Sequence, residues 1–317
     1  KENGYEPVVI MQGTHSGRYS KPNGVPEPII AYNNPIFEKN APISGDRIIS
    51  DDELKVLEEK YSVTCDLARK AGFDGLDVKC CHRYLASELL SAYHREGEYG
   101  GSFENRTRFI VNCVKSAISA KKDDKFIIGS RLNIYDGFEY PYGFGTKENE
   151  GITPDYTEGK KLTGILHKEL GLPLIDITIG NPYFNPHVNR PYDWGGYIPE
   201  EHPLFGTDRI LNAAAGIQKA YPQLNVVCSG LTYLRQYAPY IAADMIENGL
   251  TTFAGFGREA FAYPEFIHDL KNGGMKQEKC CVTCGKCTEL MRAGSVAGCV
   301  VRNSEYMELY KKEVLKK

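Results

Sequence analysis

Five cysteines crowd one short stretch near the C-terminus of this 317-residue chain, Cys280, Cys281, Cys284, Cys287 and Cys299. Read from Cys281, their spacing is C-x2-C-x2-C-x11-C. Three thiolates at every third position can hold one face of a small metal cluster, and a fourth from beyond a short loop can close it. This spacing is typical of a [4Fe-4S] cluster, so the sequence predicts that Cys281, Cys284, Cys287 and Cys299 are its ligands and that the protein moves electrons.

The same cysteines leave two other interpretations open. A structural zinc site usually pairs two C-x2-C knuckles across a longer gap, which fits three close cysteines and one distant cysteine less well. The cysteines could also be free or disulfide-bonded. Cys280 is expected to be a bystander, although a C-x3-C reading from Cys280 to Cys284 remains an alternative.

Composition excludes several classes of protein. The chain is 42% hydrophobic and 25% charged, with a formal net charge of -3. This charge gives no reason to expect nucleic acid or an anionic membrane as a partner. No apolar run approaches the roughly 18 residues that span a bilayer. The scattered remaining cysteines do not resemble a disulfide scaffold, so we expect a reducing, cytoplasmic location.

Short apolar runs alternate with helical patterns along most of the chain. Continuous, β-branched runs indicate buried parallel strands, and they cover residues 7–12, 75–79, 125–133, 174–180, 224–230 and 251–257. The helical patterns cover residues 51–70, 104–120, 156–170, 208–220, 234–248 and 258–272. A repeated βα order predicts either a (β/α) barrel or a doubly wound parallel sheet.

Two observations favour the barrel. No G-x-G-x-x-G follows any of the predicted strands, and polar residues stand at the carboxyl end of nearly every one, where barrels build their active sites. Six strands cannot close an eight-stranded TIM barrel, so we expect the first two βα units to be absent from this chain. Residues 1–272 are then barrel strands 3–8, and residues 273–317 are an iron–sulfur-binding segment ending in an amphipathic helix.

Three segments resemble the old yellow enzyme family of NADH:flavin oxidoreductases. They are MQGTHSGR at 11–18, GFDGLDVKCCHRYLASELLSAYHREGEYGGSFENRTRF at 72–109 and GFGREAFAYPEF at 255–266. The cysteine spacing is similar to that of the iron–sulfur branch, which includes 2,4-dienoyl-CoA reductase and trimethylamine dehydrogenase. The resemblance implies an FMN-binding TIM barrel in which Gln12, Arg131, Gly230, Gly257 and Arg258 hold the cofactor.

The resemblance also implies an ene-reductase site after the second predicted strand of this chain. Lys79 and His82 would polarise the electron-withdrawing group of an activated C=C bond, and Tyr84 would protonate the α-carbon. Lys79 departs from the family, which usually has His or Tyr there. With Arg83 as a second cation beside the pocket, an anionic substrate is expected.

The loop at 180–204 is expected to wall the substrate pocket through Asn181, Tyr183, Arg190 and Trp194. Two alternatives stay open. One is an amine dehydrogenase that oxidises a C–N bond, which Asn181 weakens because the related amine dehydrogenases carry Asp there. The other is a non-catalytic electron-transfer subunit. Electrons are expected from NAD(P)H, a ferredoxin-like carrier or a separate reductase subunit, and homo-oligomerisation is left open.

Overall fold

A six-stranded parallel sheet organises the chain in the computed structural model, which describes Gly4 and residues 6–316. The strands are β1 (Ile10–Gly13), β2 (Gly75–Val78), β3 (Ile127–Asn133), β4 (Leu174–Thr178), β5 (Asn225–Cys228) and β6 (Phe253–Ala254). They lie side by side in chain order, and every neighbouring pair is parallel. The predicted α/β fold with a parallel sheet is confirmed, and so is the presence of a strand in each predicted run.

The sheet has two edges rather than a closed circumference. Within residues 6–316, β1 pairs only with β2 and β6 only with β5. The strands number six, as expected for a partial barrel, but closure into a barrel is not observed in this part of the chain. The eight-stranded architecture therefore stays a prediction.

The two faces of the sheet differ in chemistry. One face is fully buried under helices and carries Leu76, Val78 and Ile175. The opposite face carries Gln12 and Asp77 at one register position and, further along the sheet, Arg131 paired with Asp176. These polar side chains are exposed or half-buried. The polar face is therefore the one available to a ligand.

Twelve α-helices accompany the strands in the described residues. They are α1 (Pro35–Glu38), α2 (Asp51–Lys70), α3 (Leu85–Leu89), α4 (Phe103–Ala120), α5 (Thr157–Gly164), α6 (Pro186–Asn189), α7 (Pro203–Ala220), α8 (Ala238–Glu247), α9 (Glu259–Ala262), α10 (Phe266–Lys271), α11 (Lys286–Arg292) and α12 (Ser304–Glu313). Helix α2 begins at the predicted residue because Ser50 and Glu53 form a reciprocal capping box. None of the helices in residues 6–316 is long and apolar enough to cross a membrane.

Two predicted helices are interrupted. The helix expected over 258–272 divides into α9 and α10, since Pro264 cannot continue the first of them. The helix expected over 234–248 begins instead as a 3-10 stretch, Leu231–Tyr237, in which Arg235 has a φ of 51°. Helix α5 matches its expected start and continues as a π-helical turn, Ile165–Glu169.

The C-terminal segment has a small core of its own. Three residues are buried against each other there: Leu290 of α11, Val300 from the connection between the two helices, and Tyr310 of α12. The amphipathic helix predicted for the tail is confirmed as α12. The division of the chain at residue 272 stays a prediction.

Candidate functional site

Lys79 and Tyr84 face each other just beyond the carboxyl end of β2. The Lys79 ammonium lies 3.7 Å from the centroid of the Tyr84 ring, an attractive cation–π geometry. Lys79 is only 7% exposed. Burial is the main cause that lowers the pKa of its ammonium below the ordinary value. Two of the three predicted catalytic residues are thus brought together.

His82 lies in the same turn with a strained backbone. Its φ is 63° and that of Arg83 is 58°, so two successive non-glycine residues occupy the left-handed region. Burial first, and then the charges of Arg131 and Lys79, hold the pKa of the His82 imidazole well below 6.5. Its Nε2 is buried and has no hydrogen-bond partner. The imidazole is therefore neutral at physiological pH, with an unused nitrogen.

Tyr84 is linked to the loop after β4. Its hydroxyl lies 3.0 Å from that of Tyr183, and the Tyr183 ring stacks on Tyr19 with centroids 3.8 Å apart. Burial, followed by the Tyr183 hydroxyl, raises the pKa of Tyr84 above its ordinary value. Tyr84 is consequently protonated at neutral pH and is held in position by a second phenol.

Arg83 corrects one inference from the sequence. It was expected to add a cation beside the pocket, yet its side chain is fully buried. Its guanidinium pairs with Asp136 at 3.0 Å and also donates to Ser91 and Tyr32. The left-handed turn at residue 83 directs the side chain into the protein, where Asp136, distant in sequence, pairs with it. The argument for an anionic substrate from Arg83 is therefore wrong.

The polar face of the sheet holds Gln12 and Arg131. Gln12 Nε2 donates to Asp77 Oδ2 at 2.6 Å, and Asp77 Oδ1 accepts from the backbone N–H of Arg131. Arg131 Nε lies 3.0 Å from Asp176 Oδ2, but this ion pair lacks hydrogen-bond geometry. Arg131 Nε is therefore buried without a hydrogen-bond partner, and so is the other carboxylate oxygen, Asp176 Oδ1. Burial raises the pKa of Asp176 to about 6, although Arg131 opposes the shift. Unused donors and acceptors on this face fit the polar edge of a flavin ring.

Gly230 and Gly257 follow neighbouring strand ends. Gly255 N donates to Cys228 O at 2.7 Å and so fastens the end of β6 to that of β5. Gly230 has a φ of 89°, and a Cβ there would lie only 2.8 Å from Ile210, so a side chain is excluded. Open space surrounds the Cα of Gly257. This backbone could approach a phosphate closely.

The four predicted cluster ligands line a single small cavity. Cys281, Cys284, Cys287 and Cys299 share it with Arg190 and Arg258, whereas Cys280 is buried with its thiol directed at the carbonyl of Lys276. All ten cysteines are free of disulfide bonds. Burial raises the pKa of the Cys281 thiol to about 11, so binding an iron or zinc ion would release its proton.

The cysteine geometry bears on the kind of metal. Among the described residues, no three His, Cys, Asp or Glu side chains form a group that could hold a metal ion. Four thiolates around one zinc ion must lie about 3.8 Å apart, from a Zn–S bond near 2.3 Å. The sulfurs around a four-iron cube lie further apart. The four thiols are therefore not gathered closely enough to surround a single zinc ion, and the cluster stays a prediction.

Arg258 contacts the cysteine segment. Its Nη1 lies 2.9 Å from Cys287 Sγ and also reaches the Thr288 hydroxyl. The guanidinium that the resemblance assigns to a flavin phosphate thus lies between that predicted site and the cysteines. Its phosphate role stays a prediction, and the contact with Cys287 was not anticipated.

The four predicted substrate residues of the loop after β4 lie in different environments. Tyr183 and Arg190 line a second cavity of about 320 Å³. Asn181 is fully buried, and its Oδ1 accepts from the Tyr183 N–H. Trp194 is 57% exposed. Sequence reasoning missed Arg292 of α11, which lines the same cavity, because no pattern signals that α11 packs near this loop.

Comparisons with known proteins agree with the motifs. The sequence profile of the NADH:flavin oxidoreductase / NADH oxidase family matches residues 4–150. An NADH oxidase of Thermoanaerobacter brockii is 25% identical over 94% of this chain and 40% of its own length. Cinnamate reductase of Clostridium sporogenes is 25% identical over 86% of this chain and 40% of its own length. Dimethylamine dehydrogenase of a Hyphomicrobium species is 25% identical, covering 82% and 32%.

Fold comparison points the same way. A 2-naphthoyl-CoA reductase structure aligns with a TM-score of 0.71 at 20% identity, over 96% of this chain and 44% of the reductase chain. At that identity the likeness concerns the fold alone. This chain spans about two fifths or less of the length of the three curated relatives. The resemblance predicted from the motifs is confirmed, since residues 4–150 match the profile of the NADH:flavin oxidoreductase / NADH oxidase family.

Proposed function

We propose that this chain is the substrate-converting part of an FMN- and [4Fe-4S]-dependent oxidoreductase that reduces an activated C=C bond of a carbonyl or carboxylate substrate. The sheet is proposed to contribute strands 3–8 of an eight-stranded barrel. The observation that carries the proposal is the joining of a cation, a neutral imidazole and a protonated phenol at one strand end, Lys79, His82 and Tyr84.

These three residues divide the work on the substrate. Lys79 and His82 donate hydrogen bonds to the substrate's carbonyl or carboxylate oxygen and stabilise the negative charge that develops there. Tyr84 transfers its hydroxyl proton to the α-carbon. Tyr183 holds the Tyr84 hydroxyl in place at 3.0 Å. When bound, the flavin supplies the hydride equivalent that the β-carbon receives.

The residues proposed for FMN lie along the carboxyl ends of the strands. Gln12 and Arg131 on the polar face would meet the flavin ring, where a cation stabilises the negative charge of the reduced form. Gly230, Gly257 and Arg258 would hold the phosphate, through N–H groups and a guanidinium fork. The unpartnered buried atoms of Arg131 and Asp176 support this assignment.

The cysteine cavity is proposed to hold the cluster, with Cys281, Cys284, Cys287 and Cys299 as ligands. Arg258 Nη1 donates toward Cys287 Sγ, as expected where thiolate charge must be compensated. Electrons are proposed to come from NAD(P)H or from an electron-donor protein or reductase subunit. The name of the NADH oxidase relative supports a nicotinamide donor.

Amine oxidation is the second candidate. The dimethylamine dehydrogenase relative favours it. Against it stands Asn181, whose neutral amide cannot supply the carboxylate that attracts an alkylammonium. Its Oδ1 is moreover occupied by the Tyr183 N–H.

The deciding experiment begins with an anaerobic preparation of the full chain, in which iron, sulfide and extracted FMN are quantified. Protein reduced with dithionite is then mixed with cinnamate, and oxidised protein is mixed separately with dimethylamine. The flavin absorbance is followed in both experiments. Reoxidation by cinnamate alone supports the proposal. Reduction by dimethylamine alone would establish the amine candidate, and the absence of both flavin and iron would overturn both candidates.

A further inference from the structure

We infer that the crevice between the loop after β4 and helix α11 binds the carboxylate end of an organic substrate through Arg190 and Arg292. This inference rests on the proposed function, which it deepens by assigning the substrate a class: a flat apolar body that carries a carboxylate distant from the reacting bond. The cysteine segment then has a second role, since α11 forms one wall of a substrate site.

The crevice has the size and lining of a ligand site. It encloses about 320 Å³, within the range of small-molecule pockets. Aromatic rings of Tyr183, Phe184 and Tyr192 form the loop side. Thr288 and Arg292 form the opposite side on α11. An apolar ring could pack on the loop side, while a charged group would meet guanidinium groups.

Arg190 is the crevice residue whose guanidinium has no hydrogen-bond acceptor among the described residues. It is half-buried in the crevice wall. Burial is the first cause that lowers its pKa, followed by the charge of Arg258, while Cys287 and Cys281 oppose the shift. No hydrogen bond or carboxylate ion pair joins its guanidinium to any residue in 6–316. Desolvating a cation that has no hydrogen-bond acceptor carries a free-energy cost. A bound carboxylate would remove that cost with a bidentate pair.

The neighbouring Arg258 is already engaged on the other side. It lines both the crevice and the cysteine cavity, but its Nη1 donates to Cys287 and Thr288. Arg190 makes no such contact. Glu289, the acidic residue in the crevice lining, accepts a hydrogen bond from Tyr310. Both arginines line the cysteine cavity as well as the crevice, but only Arg258 donates to a thiol, so the N–H groups of Arg190 are available to a ligand in the crevice.

Arg292 connects the crevice to the reacting bond. Its Nη2 donates to Pro182 O at 3.0 Å, and its guanidinium carbon lies 5.1 Å from the Tyr183 ring centroid. Tyr183 in turn touches the Tyr84 hydroxyl. A substrate whose carboxylate lies between Arg190 and Arg292 can thus extend along Tyr183 and present its double bond to Tyr84.

Calorimetry on the full chain tests this inference without turnover. The probes are 4-propylbenzoate, whose carboxylate lies across the ring from a side chain without a C=C bond, its uncharged amide, and inorganic phosphate. We expect the carboxylate to bind at least about tenfold more tightly than the amide, and Arg190→Gln to weaken it by a similar factor. Arg292→Gln, at an exposed position, should give a smaller loss. Arg69→Gln on α2, paired with Asp66 far from the crevice, is the matched control.

Each other outcome overturns the inference. Equal affinity for acid and amide, or unchanged affinity in both crevice variants, would mean that no carboxylate is held there. Phosphate binding as tight as that of the acid would assign the crevice to phosphate chemistry instead. If Arg190→Gln does not fold, as judged by circular dichroism, Arg292→Gln decides. Enoate reduction without carboxylate binding would refute this inference alone, whereas binding without flavin or reduction would refute the proposed function alone.

Discussion

Two regions of the molecule are held in place in different ways. They are the corner around Lys79, His82 and Tyr84 at the end of β2, and the cysteine segment, residues 273–317. The corner around Lys79, His82 and Tyr84 is buried in the main body of the protein and is held in a strained backbone turn. The cysteine segment has a small core of its own. It joins the main body through polar contacts, such as Arg258 with Cys287 and Arg292 with Pro182, and through Cys280, which is buried in one cluster with Phe266. Packing therefore pre-organises the side chains of the corner, whereas the proposed cluster would be needed to hold the segment in one arrangement.

The largest effect should follow from removing one proposed cluster ligand. Cys284→Ser should lose nearly all iron and open residues 273–317 to proteases, because metal binding and local folding are coupled. Iron analysis and limited proteolysis measure both. Cys280→Ser is the control, since its thiol contacts the carbonyl of Lys276. Equal iron loss in the two variants would show that Cys280 is a ligand.

Replacing the buried Arg83 should mainly lower the stability of the protein around Lys79, His82 and Tyr84. Arg83→Met leaves the buried carboxylate of Asp136 without its cation, so the free energy of unfolding should fall by about 3–5 kcal/mol. Denaturant unfolding measures this change. Arg69→Met, which breaks a surface pair, should cost less than about 1 kcal/mol. A comparable loss in both variants would contradict the structural role of Arg83.

Tyr84→Phe should separate chemistry from stability. Loss of the proposed proton donor should slow reoxidation of the reduced flavin by an enoate about 100-fold, while dithionite reduction of the flavin is unchanged. Stopped-flow absorbance measures both steps. Tyr240→Phe alters a phenol that is largely exposed on α8 and should leave both rates unchanged. A Tyr84→Phe enzyme with more than half of the normal rate would exclude this proton donor.

The smallest effect concerns the pH dependence of stability. The pKa of Asp176 is raised from 3.8 to about 6 by burial. The unfolded chain therefore releases this proton at lower pH than the folded protein. Protonated Asp176 stabilises the folded state, and this stabilisation is lost as pH rises from about 4 through about 6. Asp176→Asn should flatten the unfolding free energy across that window. An unchanged pH profile would show that this face is better solvated than its burial indicates.

Local patterns in the sequence predicted the framework well. The bounds of α2 follow from its capping box and amphipathic period, and the six strands follow from continuous β-branched runs. The convergence of four cysteines was readable from spacing alone. These features depend on residues that are close in the chain.

Contacts between distant segments were not predictable. Arg83 was placed in the pocket because its sequence neighbours are there, but its direction is set by a left-handed φ and by Asp136, 53 residues away. The proposed crevice role of Arg292 depends on how α11 packs near Pro182, 110 residues earlier. No periodicity encodes such a meeting of side chains. Sequence reasoning therefore identified most of the chemical groups but not their partners.

The left-handed turn at His82 also limits how this site can evolve. Outside glycine, the residues that tolerate such a φ best are Asn, Asp and His, and β-branched side chains are strongly disfavoured. Of these, only His and Asn can donate a neutral side-chain hydrogen bond to a substrate oxygen. Most substitutions at position 82 would therefore destabilise the turn, whatever their effect on activity. A directed-evolution library at this position needs few codons, and new specificity should be sought instead at residues of the loop after β4.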